Sequence, residues 1–155
     1  MFKISKNLSV SITIVICIIC LIAVAGLAVA LPFITNDFLR TEYPQIVEEH
    51  HVSILVTLYV ALIPATAALI SLLRLLSLVR RESVFTSEAV ALLRMISWCC
   101  FAEIPVFAVC TVFFLFFAVS LALAFAALFM GLILRVVKNV IEEAVALKNE
   151  NDFTV

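Results

Sequence analysis

Apolar residues along this chain gather into long runs, and polar residues are mostly confined to the gaps between them. The first run, Leu8 to Ile34, follows Lys3 and Lys6. About 20 apolar residues suffice for a helix to cross a bilayer, so the run predicts a membrane span over 8–34. The basic start and Ala28-Val29-Ala30 imitate a secretory signal with its cleavage site. A signal core is only about 7–15 residues long, so the expectation is a retained span. A polar loop, Asn36 to His51, then leads to a second span over 52–76. Pro64, near its middle, removes a backbone hydrogen bond and should kink the helix, which neighbouring helices tolerate in lipid.

The second polar segment, Arg74 to Arg94, carries Arg74, Arg80, Arg81 and Arg94 against Glu82 and Glu88. Thr86 or Ser87 suits a helix N-cap, and Glu88 in the first turn suits the helix dipole. The stretch from Ile96 to Leu134 is almost unbroken apolar sequence apart from Glu103. As one helix it would be nearly twice the hydrocarbon thickness of about 30 Å, so it must fold back. The resulting spans, 90–114 and 118–138, are joined by a tight turn near Phe114 to Ser120, which no Gly or Pro marks. Beyond Arg135, apolar Val136, Val137, Val140, Ile141, Ala144 and Leu147 recur with the period of a helical face, and Lys138, Glu142, Glu143 and Lys148 fill the remainder. The last span is thus expected to continue as an amphipathic helix within a cytoplasmic extension and tail, 139–155.

Composition fixes the medium. Hydrophobic residues make up 66% of the chain and charged residues 14%. A soluble domain of 155 residues could not hide that much apolar surface. The chain is therefore read as a single all-α membrane domain, 1–155, a transmembrane antiparallel four-helix bundle whose third and fourth helices extend into the cytoplasm. Net charge is −1, which suggests no direct nucleic-acid partner. Orientation follows from the cations: the two tails and the second loop hold nine of the ten Lys and Arg, whereas the first loop holds Arg40 with four acids. The positive-inside rule then puts both termini in the cytoplasm of a multi-pass cell-membrane protein.

Two segments carry a family resemblance. Leu72-Leu73-Arg74-Leu75-Leu76, with Val84-Phe85-Thr86-Ser87-Glu88-Ala89-Val90 and Leu93-Arg94-Met95-Ile96, is the first; the terminus Glu150-Asn151-Asp152-Phe153-Thr154-Val155 is the second. Together they resemble the bacterial family catalogued as domain of unknown function 2975, small four-span proteins, and the likeness covers nearly the whole chain. This sequence departs from the family pattern at Ser87-Glu88, where many members have two acids, at Phe153 in place of Leu, and in its very apolar third loop. The family has no established activity, so the resemblance transfers no catalytic residue. Its members are often encoded beside a small helix-turn-helix regulator, which implies the membrane arm of a regulatory pair.

Glu103 is the outstanding candidate for chemistry, since an acid at bilayer depth costs a few kcal/mol and should face the protein interior. It is expected to be protonated, or hydrogen-bonded to Thr57, Tyr59 or Thr66 of the second span. Its functional reading is a proton, cation or ligand site, and its structural reading is a polar contact between helices. Arg74, Arg80 and Arg81 either anchor the second span at the headgroups or dock an acidic partner. Glu150, Asn151, Asp152 and Phe153 belong to a tail that either enters a peptide-binding groove or folds back on the projecting helices.

The remaining motifs are weaker. Glu48-Glu49-His50-His51 point about 100° apart along a helix and do not converge on a metal. Cys17 and Cys20 form a CxxC among apolar neighbours and read as packing residues. Ala118, Ala122 and Ala126, Ala127 with Gly131, and Gly26 with Ala30 are small-residue faces for helix packing or homo-oligomerisation. No hydrolase, zinc-protease or phosphate-loop signature occurs. The expectation is a protein without enzymatic activity or cofactor, embedded among membrane lipids. Its cytoplasmic face would bind a regulatory protein; the alternative is a small transporter or ligand-binding protein using Glu103.

Overall fold

The computed structural model describes the backbone of residues 6–39, 41, 44–81, 84–113 and 117–152. Helix α1 spans Lys6–Ile34 and runs into a single π-helical turn, Thr35–Leu39. Helices α2, α3 and α4 follow at Pro44–Arg80, Ser87–Phe113 and Phe117–Asp152. Each contains a segment long and apolar enough to cross a membrane, four in all among the described residues. Such a chain is a multi-pass membrane protein.

Two polar segments differ from the sequence expectation. Much of the expected loop over 36–51 is helical, because α2 begins at Pro44. The second loop contracts to the residues between Arg80 and Ser87, since the leucine-rich stretch after Ser71 continues α2 to Arg80. The Arg81 amide closes that helix on the carbonyls of Ser77 and Leu78, each at 3.1 Å. Thr86 caps α3, its hydroxyl accepting from the Ala89 amide at 3.4 Å, with Glu88 in the first turn. Among the described residues α3 ends at Phe113 and α4 begins at Phe117; the turn expected near Phe114 to Ser120 lies partly outside the described residues.

Each helix packs against its neighbour in sequence, and among the described residues α1 and α4 do not touch. Short connections enforce antiparallel pairs. Two bonds register α1 and its π turn on α2: the Tyr59 hydroxyl donates to the Ala28 carbonyl at 2.9 Å, and His51 Nε2 lies 3.1 Å from Asn36 Oδ1. The first has a local cause. Pro32, inside α1, has no N–H to give the carbonyl four residues back, which is that of Ala28. Tyr59 supplies the missing donor from the neighbouring helix. One turn on, buried Thr35 donates back to the Leu31 carbonyl at 2.8 Å, where α1 widens into the π turn.

The core sits towards one end of the assembly. Ala89, Val90, Leu92, Leu93, Ile96 and Ser97, all in the first half of α3, are buried, as are Ser71 of α2 and Gly131 of α4. The Ser97 hydroxyl donates to the Gly131 carbonyl at 2.9 Å. A side chain at Gly131 would place its Cβ 3.0 Å from Phe101 Cε1, so glycine here permits the close approach of α3 and α4. Gly26 has open space around it, and Ala118, Ala122 and Ala126 are exposed. All five cysteines are free thiols, with only Cys17 buried.

Candidate functional site

Glu103 lies on α3 two residues before Pro105, half-buried, with Oε2 enclosed and without a hydrogen-bond partner. The three hydroxyls expected to reach it are engaged elsewhere. Thr57 donates to the Ser53 carbonyl at 2.8 Å and Thr66 to those of Leu62 and Ile63, each at 2.8 Å. Tyr59 is bonded to Ala28, for the reason given above. Thr57 and Pro105 do line one cleft between α2 and α3, of about 230 Å³, but its other walls are Val56, Val60, Val106 and Val109. Apolar walls favour lipid or a side chain there over water. Glu103 is thus a half-buried acid with one enclosed, unpartnered oxygen, unsupported by the second-span hydroxyls.

A second polar locus forms where α3 and α4 leave the apolar run. Arg94, Ser97 and Trp98 of α3 and Arg135, Lys138 and Asn139 of α4 line a cavity of about 390 Å³. Glu142 bridges two of these cations, with Oε1 3.5 Å from Arg94 Nη2 and Oε2 paired to Lys138 Nζ. The Lys138 ammonium also donates to Asn139 Oδ1 at 3.1 Å. The Arg135 guanidinium lies over the rings of Trp98 and Phe101, 5.3 Å from each centroid. The edge-to-face pair of Trp98 and Phe101, with centroids 6.3 Å apart, fixes those rings. Sequence reasoning passed over this cluster, although a signal was present. A hairpin made from Ile96–Leu134 must bring its two flanking arginines to one level.

The partner-binding candidates lie at the ends of α2 and α4. Arg74 and Arg80 are exposed on the last turns of α2, and Arg81 follows in the turn. Glu150 is exposed near the end of α4, whereas the side chains of Asn151 and Asp152, and Phe153 to Val155 altogether, lie outside the described residues. So do the side chains of Glu48, Glu49 and His50; His51 is engaged with Asn36.

Past Arg135, α4 has two apolar sides. Ile141 and Val145 are half-buried, and Val145 shares a groove with Ser87, Val90 and Ala91 at the start of α3. Val136, Val140 and Leu147 lie within about 40° of one another at about 100° per residue, on another side. They are 63%, 61% and 61% exposed, so none of the described helices covers them.

A family model described as "protein of unknown function (DUF2975)" matches residues 26–155. The chain belongs to this family. The matched region of this DUF2975 protein takes in the end of α1 from Gly26 onward and all of α2, α3 and α4, including Glu103 and the α3–α4 cation cluster. No curated protein and no solved structure matches it.

Proposed function

We propose that this DUF2975 protein is a membrane-embedded regulatory or interaction protein whose cytoplasmic face holds a soluble partner. The observation that carries the reading is the exposed stripe of Val136, Val140 and Leu147. Helix α4 has 36 residues. At about 1.5 Å per residue it is about 54 Å long, well beyond a hydrocarbon core of about 30 Å. Its charged end therefore leaves the lipid, and apolar side chains there face water unless a partner covers them. The excess of Lys and Arg in the tails and second loop supports a cytoplasmic location for this end.

The stripe fits the apolar face of an amphipathic helix, docked along α4 as a helix lies in a groove. Glu143 falls within the stripe by helical position and favours basic residues on that partner. A small helix-turn-helix regulator is the partner that the family resemblance implies. Arg74, Arg80, Arg81 and the tail from Glu150 onward would flank it. The test is affinity capture from native membranes of the wild type, of Val140→Glu/Leu147→Glu, and of a chain lacking residues 149–155. A soluble protein held by the wild type and lost from both variants supports the proposal. Equal retention by all three counts against it.

A second reading rests on the unpartnered Oε2 of Glu103. A half-buried acid with an enclosed, unpartnered oxygen suits a proton or cation pathway in a small transporter. Vesicles containing wild type or Glu103→Gln distinguish the two: flux lost with the substitution supports transport, and identical flux removes it.

A further inference from the structure

The cation cluster between α3 and α4 has features that partner docking does not use. Arg94 and Arg135 bracket the apolar run Ile96–Leu134, and the hairpin returns both to one level. That level is the edge of the hydrocarbon, where lipid phosphates lie and where tryptophan is enriched. Trp98, the only tryptophan in the chain, lines the cavity there. Three cations face the cavity, while one carboxylate, that of Glu142, pairs with Arg94 and Lys138. Arg135 has no carboxylate among the described residues; its guanidinium is held over two aromatic faces. Aromatic faces accept the cation but leave its forked N–H donors open to an oxyanion. The rings thus orient Arg135 without neutralising it.

The geometry points to a binding site for the phosphate of an anionic phospholipid headgroup, held by Arg135 with Arg94 and Lys138. Charge selects an anion, because three cations outnumber one acid. Size selects a headgroup over a bare ion, because about 390 Å³ falls within the range of small-molecule pockets, about 300–1,000 Å³. Position selects a lipid, since basic pockets between membrane helices are sequence-readable sites for anionic headgroups. Ser97 closes the pocket floor through its bond to Gly131, so it holds the two helices together and takes no part in recognition.

Trp98 reports on its own site. The purified full-length chain in neutral detergent is titrated with short-chain phosphatidylglycerol, with phosphatidylcholine, and with inorganic phosphate, and Trp98 emission is followed. Phosphatidylglycerol should give a saturable change and phosphatidylcholine none. Arg135→Gln should raise the midpoint about fivefold, the factor for about 1 kcal/mol per cation near the surface. Arg135→Lys should fall between, and Lys148→Gln, outside the cavity, should match the wild type. If Arg135→Gln does not fold, Lys138→Gln serves in its place, with retained phosphatidylglycerol counted by native mass spectrometry. Three outcomes overturn the assignment: equal responses to the two lipids, an unmoved midpoint in the cavity variants, or saturation by inorganic phosphate with lipid adding nothing.

Discussion

Replacing Tyr59 by Phe removes one oxygen and leaves the ring in place, so it isolates the bond to the Ala28 carbonyl. Interhelical hydrogen bonds in membranes average about 0.6 kcal/mol and reach about 1.7. This bond belongs near the upper figure, because Pro32 has already deprived the same carbonyl of its helical donor. We expect Tyr59→Phe to cost about 1.5 kcal/mol. Pro32→Ala restores an amide to that carbonyl, so in its background the same substitution should cost about 0.5 kcal/mol. The coupling of about 1 kcal/mol lies within the range for groups sharing one partner. Reversible unfolding by SDS titration in mixed micelles, followed by circular dichroism, measures all four proteins of the cycle. Equal costs for Tyr59→Phe in the two backgrounds would refute the reasoning, since the tyrosine would then not be replacing the proline's absent donor.

Two further substitutions probe the α3–α4 hairpin. Gly131→Leu must displace the Phe101 ring, which also supports Arg135, and should destabilise by about 3 kcal/mol, at the upper end for overpacking; unfolding at the wild-type SDS fraction would argue against the close approach. Thr86→Ala removes the α3 cap and should cost about 1 kcal/mol in the same titration. Loss of less than a few tenths would mean that another group caps the helix.

The spans were legible because lipid imposes a length and an apolar composition that few other structures share. Less legible were the helix ends in polar segments: α2 gains its first turns from Pro44 and keeps its last through Arg80, where local helix preference outlasts the apolar run. The side-chain partners were the least visible. Tyr59 is one of three hydroxyls that the sequence offers to Glu103, and the carbonyl orphaned by Pro32 takes its hydroxyl, a need readable only once the register of α1 on α2 is known. The cavity between Arg94 and Arg135 likewise required both helices of the hairpin to be in place, with Gly131 admitting Phe101. Helical periodicity beyond Arg135 identified the apolar positions of the extension but not which of them the neighbouring helix covers. Ile141 and Val145 are half-buried, and Val136, Val140 and Leu147 are not.

Sidedness decides whether the exposed stripe of α4 can meet a soluble partner inside the cell. In a cysteine-free background, single cysteines at Thr41, Phe85 and Val140 occupy exposed positions between α1 and α2, between α2 and α3, and on the extension. They are treated with a membrane-impermeant maleimide before and after permeabilisation. Thr41→Cys should react in intact cells, and Phe85→Cys and Val140→Cys only once the membrane is opened. Labelling of Val140→Cys from outside, or of Thr41→Cys and Val140→Cys from the same side, would contradict the account.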